Sequence, residues 1–179
     1  MPPSPDQRAA LLASLFIEAL RRGEPSWFQV SSGSMRPLLR VGDCVRVEPT
    51  QAGTLRPGEI AAFETPQGLT VHRLLLSTYE YGTLRLLQMG DAGPVWSWLD
   101  PQQVVGRVVA VQRGSRELNL RLPIARWWGN LAAYARYQYY LKRTSSLTGT
   151  FARRCSRGIV RLAAWSSWLL CATSAQVHT

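Results

Sequence analysis

The middle of the chain, from Trp27 to Gln112, alternates short apolar runs with turn residues, and this pattern restricts the fold more than any other feature. The apolar runs are Trp27–Val30, Cys44–Val47, Ile60–Phe63, Leu69–Leu76, Leu84–Gln88 and Val104–Gln112. Glycine-containing turns such as Pro57-Gly58-Glu59 and Gln67-Gly68 separate them. Strands joined by tight turns, without helices between them, favour antiparallel pairing. We therefore predict a mainly β protein of the α+β class, whose body is a coiled antiparallel sheet or small barrel.

Helical patterns flank this β body. Residues 9–20 read A-A-L-L-A-S-L-F-I-E-A-L, which predicts an amphipathic helix near residues 5–22 that ends before Gly23 and Pro25. Asp6 stands where a secretory signal would be positive, and the run is too short to span a bilayer. Its apolar face either packs on the body or lies on a membrane surface. We predict three parts: a helix in residues 1–25, a β domain in 26–117 and a helical region in 118–179.

The charge is concentrated at the carboxyl end. Up to Glu117 the chain has twelve Arg against eleven acidic residues, whereas residues 118–179 carry eight Arg and one Lys with no acidic residue. Helix-like stretches at Pro123–Arg143 and Phe151–Ala175 mix these cations with aromatic side chains. That composition is typical of helices on anionic lipid, and it also occurs in nucleic-acid binders. We expect association with an anionic membrane surface, with a helical hairpin packed on the body of a cytoplasmic protein as the alternative.

Metal and disulfide chemistry are not expected. The cysteines Cys44, Cys155 and Cys171 are far apart, no C-x-x-C motif occurs, and the chain has two histidines. Structural zinc sites need a closer set of such ligands. We predict no metal, no cofactor and no disulfide framework.

A stiff turn carries the first candidate catalytic residue. Ser31–Asp43 reads S-S-G-S-M-R-P-L-L-R-V-G-D. Gly33 permits tight backbone beside Ser34, and Pro37 prevents a regular helix or central strand. Ser34 is therefore a candidate nucleophile, although the same residue types also form ordinary turns.

Four segments of the chain resemble the conserved boxes of a peptidase family. S-G-S-M-R-P-L followed by V-G-D resembles the nucleophile box of type I signal peptidases and their superfamily, which includes LexA-type self-cleaving proteins. V-H-R-L at Val71–Leu74 is similar to the second box of the endoplasmic-reticulum and SipW-like type. M-G-D-A at Met89–Ala92 and Q-V-V-G-R-V at Gln103–Val108 resemble the third and closing boxes. The resemblance covers residues 26–112 and implies a signal-peptidase-like fold and a serine endopeptidase.

The candidate general base is a histidine. A serine hydroxyl needs a base to take its proton, and the superfamily usually supplies a lysine. The single lysine of this chain, Lys142, follows the β body, and His178 is next to the carboxyl terminus. His72 lies in the predicted strand Leu69–Leu76 and has the pKa range of a base, although a histidine in a strand is often structural.

The resemblance also implies an acid behind the histidine. It assigns Asp91 of M-G-D-A as the carboxylate that orients His72, and the alternative is an aspartate that starts a turn before Gly93-Pro94. Asp100 is a possible second acid. Asp43, at the end of the serine box, is expected to cap a turn.

Two donors are expected for the oxyanion of the reaction intermediate. The Ser34 backbone N–H is the first, and the resemblance implies the Ser32 hydroxyl as the second. A hydroxyl bonded to its own turn is the alternative for Ser32. The run Trp27–Val30 is expected to pair with an extended substrate by β-augmentation.

The sequence thus predicts a serine endopeptidase that cleaves signal or leader peptides from exported or matured precursors. Signal peptidases usually carry a membrane anchor ahead of the serine box, and none is predicted here. A LexA-like self-cleaving regulator is one alternative. A non-catalytic module that binds membrane or nucleic acid through its basic tail is the other.

Overall fold

The structure is a computed structural model that describes residues 4–144 and 149–174. Its elements in chain order are α1 (Pro5–Arg21), β1 (Ser26–Gln29), β2 (Cys44–Pro49), β3 (Ile60–Thr65), β4 (Gly68–Glu80), β5 (Thr83–Met89), β6 (Trp96–Leu99), β7 (Val104–Arg113), β8 (Arg116–Asn119), α2 (Pro123–Thr144), α3 (Gly149–Cys171) and β9 (Ala172–Ser174). Short 3-10 helices lie at Ala52–Thr54 and Pro101–Gln103.

The strands form one antiparallel sheet. Its main path has the order β1-β2-β7-β3-β4-β5-β6, and β8 and β9 extend from β7. This confirms an α+β protein with a mainly β, antiparallel body. Three of the strands, β6, β8 and β9, are absent from the sequence-based prediction. The first two are four residues long and lack a run of apolar residues, so their pattern does not separate them from turns.

The amino-terminal helix α1 is defined by its cap. The Ser4 hydroxyl accepts from the Gln7 backbone N–H at 3.2 Å, while the Gln7 side chain accepts from the Ser4 N–H at 2.8 Å. Gly23, at φ +91°, follows the last turn. The helix therefore ends where the sequence predicts it. One face of the helix packs on the body through Ile17 and Leu20, so packing is the observed role of this face.

The carboxyl-terminal helices pack on the same core. Leu20 of α1, Val47 of β2, Val111 of β7 and Trp168 of α3 belong to one cluster of buried side chains. Trp168 Nε1 donates to the Leu38 carbonyl oxygen at 3.1 Å. One side of α3 therefore packs on the body of the protein. None of the described helices combines the length and apolarity needed to cross a membrane.

Candidate active site

The serine turn connects β1 and β2 and is closed at its base by the backbone. Val30 N–H donates to the Asp43 carbonyl at 2.8 Å, and Gly42 N–H donates to the Val30 carbonyl at 2.9 Å. Met35 and Leu39 are buried and hold the turn against the core. The half-buried Ser34 is therefore carried on a segment that is fixed from both sides.

Asp43 stabilises this turn, in line with the capping role expected for it. Its buried carboxylate accepts from the Arg40 N–H at 2.7 Å and from Nε and Nη2 of Arg113 at 2.8 and 2.6 Å. Arg113 Nη2 also donates to the Leu38 carbonyl at 2.9 Å. The acid thus ties the end of the serine turn to β7.

His72 lies in β4 and is fixed by its neighbours on both adjacent strands. Ala61 of β3 is its register partner, so Phe63, two residues on, shares its face of the sheet. The Phe63 ring meets the imidazole edge-on, with centroids 5.9 Å apart. On the other side, Leu74 pairs with Gln88 of β5 and Arg73 with Met89. His72 therefore lies diagonal to Gln88 on one face.

A row of polar side chains runs from His72 to the sheet edge. His72 Nδ1 lies 2.6 Å from Gln88 Oε1, which makes this nitrogen the protonated one, because an amide oxygen only accepts. Gln88 Nε2 in turn donates to the Ser97 hydroxyl at 2.5 Å, across the direct pairing of β5 with β6. In this tautomer Nε2 of His72 has a free lone pair and can accept a proton.

Ser34 and His72 meet on either side of Gly90. The Ser34 carbonyl accepts from Ala92 N–H at 2.8 Å, which binds the serine turn to the segment after β5. A Cβ added at Gly90 would lie 2.7 Å from the Ser34 carbonyl oxygen and 3.3 Å from His72 Nε2. The backbone of Ser34 and the imidazole of His72 therefore both lie against Gly90, where only glycine fits.

The Ser34 hydroxyl has a serine partner. Its Oγ lies 3.3 Å from Ser32 Oγ, and the described residues show no hydrogen bond between Ser34 and the imidazole. Catalytic hydrogen bonds are often long in a free enzyme and shorten when substrate binds. The backbone N–H of Ser34 has no acceptor within the described ranges. The Ser34 N–H and the Ser32 hydroxyl therefore lie on the same turn, and their role as oxyanion donors stays a prediction.

Burial lowers the pKa of His72 below its ordinary value of 6.5. The main cause is desolvation, which disfavours the imidazolium. The hydrogen bond to Gln88 and the negative charge of Asp91 act in the opposite direction and raise the pKa. The imidazole is therefore neutral at pH 7, the form that a general base requires.

Asp91 is paired with an arginine and acts on His72 only through its charge. Both oxygens of its buried carboxylate accept from Arg73, at 2.8 Å from Nε and 2.6 Å from Nη2. Arg73 follows His72 in β4, and neighbouring strand residues face opposite sides of the sheet. The group that touches the imidazole is thus Gln88, in the position that the family resemblance implies for Asp91.

Asp100 is not brought to the imidazole. It follows β6, and its carboxylate accepts from the Gln102 N–H at 2.9 Å, which caps the 3-10 helix at Pro101–Gln103. Ser97, three residues earlier, is the β6 residue that reaches the polar row. The structure therefore gives Asp100 a capping position.

Gln88 and Ser97 are the site residues that sequence reasoning missed. The sequence carries a signal for Gln88, because it is the one polar residue in the apolar strand segment L-L-Q-M. The other residues of this segment are fully buried in the structure. Buried polar side chains need a hydrogen-bond partner, so such a position marks a polar contact. Ser97 carried no comparable signal, because β6 itself was not predicted.

A third missed residue, Arg136, holds the segment beside the site. This buried residue of α2 donates through Nη2 to the Gly90 carbonyl at 2.6 Å, and also to the Gly93 carbonyl. The backbone that separates Ser34 from His72 is thus attached to the carboxyl-terminal hairpin. The sequence pattern of residues 118–179 gave no sign of this contact.

The part of the chain with described side chains contains no group of three or more His, Cys, Asp or Glu residues that could hold a metal ion. Cys44 is a free, half-buried thiol. The predictions for Cys155, Cys171, Lys142 and His178 concern side chains outside that description.

No model of a known protein family matches this chain, and no curated protein sequence matches it.

Proposed function

We propose that this protein is a serine endopeptidase of signal-peptidase type, with Ser34 as nucleophile and His72 as general base. The observation that carries the proposal is that the Ser34 backbone and His72 Nε2 both lie against Gly90, while Nδ1 of His72 is held by Gln88. A serine and an oriented neutral imidazole are the minimum set for acyl transfer.

The reaction proceeds in two halves. Ser34 Oγ attacks the carbonyl carbon of the scissile peptide bond, and its proton passes to His72 Nε2. The resulting oxyanion accepts from the Ser34 N–H and the Ser32 hydroxyl. The imidazolium then donates its proton to the leaving amine as the C–N bond breaks. Water, deprotonated by the same imidazole, hydrolyses the acyl-serine ester and restores the free hydroxyl.

Gln88 replaces the carboxylate of the common triad. Its amide oxygen holds the Nδ1–H tautomer, as the asparagine does in Cys-His-Asn peptidases. The charge of Asp91 favours the imidazolium that forms during the attack. Gln88 therefore orients the imidazole, while Asp91 stabilises the positive charge that forms on it.

The substrate is an extended peptide, a signal or leader segment of a precursor. β1 is hydrogen-bonded to β2 alone on the described main path of the sheet and leads directly into the serine turn. A substrate strand that pairs with this edge runs toward Ser34, which supports the predicted β-augmentation.

The exposed face of α3 supports a membrane surface as partner. Leu162, Trp165 and Leu169 are spaced along one helix face and are 61%, 65% and 57% exposed. Residues 118–179 contain cations and no acidic residue. An apolar stripe on a basic segment matches a helix that lies on anionic lipid.

Vesicle flotation tests the membrane partner. The full chain should float with phosphatidylcholine vesicles that contain phosphatidylglycerol, and less with phosphatidylcholine alone. Trp165→Gln/Leu169→Gln should weaken binding by at least about tenfold. The exposed pair on α1, changed as Leu12→Gln/Leu15→Gln, is the matched control. Equal flotation of both variants and wild type would show that this face of α3 does not bind the membrane.

Amino-terminal peptide profiling tests the catalytic proposal. The purified chain is incubated with a denatured, amine-blocked proteome, and new amino termini are identified. Ser34→Ala and His72→Ala should remove them, a loss of at least about 10²-fold. Ser31→Ala, an exposed serine of the same turn, should leave them unchanged.

Two other results would point to the alternatives. Cleavage confined to the protein itself, at any concentration, would favour a LexA-like self-cleaving regulator. Identical termini in wild type and in the folded Ser34→Ala and His72→Ala variants would favour the non-catalytic binding module.

A further inference from the structure

A cleft beside the serine turn is surrounded by arginines. It has a volume of about 490 Å³ and is lined by Arg36 and Arg40 of the turn, by Arg161 of α3, and by Asp91 and Ala92 between β5 and β6. Residues that are far apart in sequence thus place three arginines around one opening.

The cleft adjoins the proposed nucleophile. Ala92, which lines it, donates its N–H to the Ser34 carbonyl at 2.8 Å. Arg36 follows Ser34 by two residues, and its Nε lies 3.3 Å from the position of a Cβ on Gly33. A peptide bound across Ser34 therefore has the cleft directly next to it.

The positive charge of the cleft is not compensated within the described part of the chain. Arg36, Arg40 and Arg161 are exposed and form no ion pair there. The one acid of the lining, Asp91, has a fully buried carboxylate that Arg73 already binds on both oxygens. The acid of the serine turn, Asp43, is bound by Arg113.

Such an arrangement favours an anionic occupant. Like charges around one opening add their potentials and attract a negative group. The planar guanidinium fork binds a carboxylate through two hydrogen bonds. A peptide supplies that group as Asp or Glu.

We propose that this cleft selects substrates with one or more Asp or Glu side chains close to the scissile bond. The inference rests on the proposed peptidase function and adds a substrate class to it. Arg36, Arg40 and Arg161 then determine specificity without taking part in the chemistry.

The profiling experiment described above tests this inference with two further variants. Arg36→Gln/Arg161→Gln removes two of the three charges. Arg56→Gln/Arg126→Gln is the matched control, because both residues are exposed arginines away from this cleft. Wild-type termini that depend on Ser34 should be enriched in Asp or Glu within a few residues of the cut. The enrichment should fall in the cleft variant and persist in the control.

A peptide series gives the size of the effect. For one cleaved sequence, each Asp→Asn or Glu→Gln change should lower kcat/KM by up to about fivefold per arginine contact, with a larger effect at low salt. The same change should have a clearly smaller effect in the cleft variant, which retains only Arg40 of the three arginines. Exchanging the charges, with Lys in the peptide and Arg36→Glu/Arg161→Glu in the protein, should restore cleavage.

The outcomes separate the inference from the function on which it rests. Ser34-dependent termini without acidic enrichment, or with enrichment that the cleft variant retains, would overturn the substrate class and leave the peptidase intact. The absence of any Ser34-dependent terminus would overturn both.

Discussion

The amide oxygen of Gln88 lies 2.6 Å from Nδ1 of His72, in the position where a serine peptidase commonly has a carboxylate. A neutral acceptor orients the ring without adding a charge next to it. Burial then dominates, and the pKa of His72 falls below 6.5. The protein therefore keeps its base deprotonated at pH values at which many histidines begin to charge.

Replacing Gln88 by glutamate should move the pH profile. A base acts only when neutral, so kcat/KM of the wild type should decline at a pH below 6.5, as the pH falls through the lowered pKa of His72. Gln88→Glu places a carboxylate on Nδ1 and raises this pKa, so the decline should begin at higher pH. The pH dependence of kcat/KM on a cleaved peptide measures the shift.

The control for that experiment removes the acceptor without adding charge. Gln88→Leu should lower kcat/KM by about 10- to 100-fold at all pH values, since the tautomer is no longer held. An unchanged rate in Gln88→Leu would mean that Gln88 has no part in orienting the imidazole.

Adding one methyl group at Gly90 should disable the site. The new Cβ would lie 2.7 Å from the Ser34 carbonyl oxygen, a backbone atom that moves only if the serine turn moves. A displacement of about 1 Å between reacting groups costs about 100-fold in rate. We expect Gly90→Ala to lose this factor in kcat/KM.

Gly93→Ala is the matched change three residues away. The nearest atom to its Cβ is Val95 N at 3.9 Å, an ordinary contact. Activity and thermal unfolding should be close to wild type. Equal activity of the two variants would show that the packing of Ser34 and His72 around Gly90 does not matter for catalysis.

Removing one member of the Arg73–Asp91 ion pair should destabilise the protein more than removing both. Both side chains are almost completely buried, at 4% and 0% exposed. Asp91→Asn leaves the guanidinium without its counter-charge and should lower the free energy of unfolding by about 3–5 kcal/mol. Arg73→Met/Asp91→Leu should cost less than the single change, because no buried charge remains. Urea unfolding monitored by tryptophan fluorescence measures both.

Arg136→Met should impair catalysis from a distance. The change removes a donor from the carbonyl oxygens of Gly90 and Gly93. Unsatisfied buried carbonyls cost about 1–3 kcal/mol, and the freed segment no longer holds Gly90 between Ser34 and His72. We expect kcat/KM to fall by at least about tenfold. Arg126→Met, at an exposed position of the same helix, should have no effect. A wild-type rate in Arg136→Met would separate the hairpin from the active site.

Much of the sheet could be predicted from the sequence, because its long strands are apolar and bounded by turn residues. β6 could not, since W-S-W-L comes shortly after Pro94 and alternates too briefly to be distinguished from a loop. Because β6 was not predicted, Ser97 was not recognised as a site residue. The motifs predict Ser34 and His72 as partners, whereas the position of Gln88 rather than Asp91 beside the imidazole depends on strand register. A shift of one residue along β4 decides whether His72 or Arg73 faces a given partner.

The bond from Arg136 to Gly90 gives the carboxyl-terminal hairpin a second consequence. A helix that touches the backbone between the proposed nucleophile and the proposed base cannot be displaced without moving that backbone. A protein engineer who exchanges this hairpin for another tail would therefore also alter the candidate site, so we expect fusion partners to be tolerated better at the opposite end of the chain.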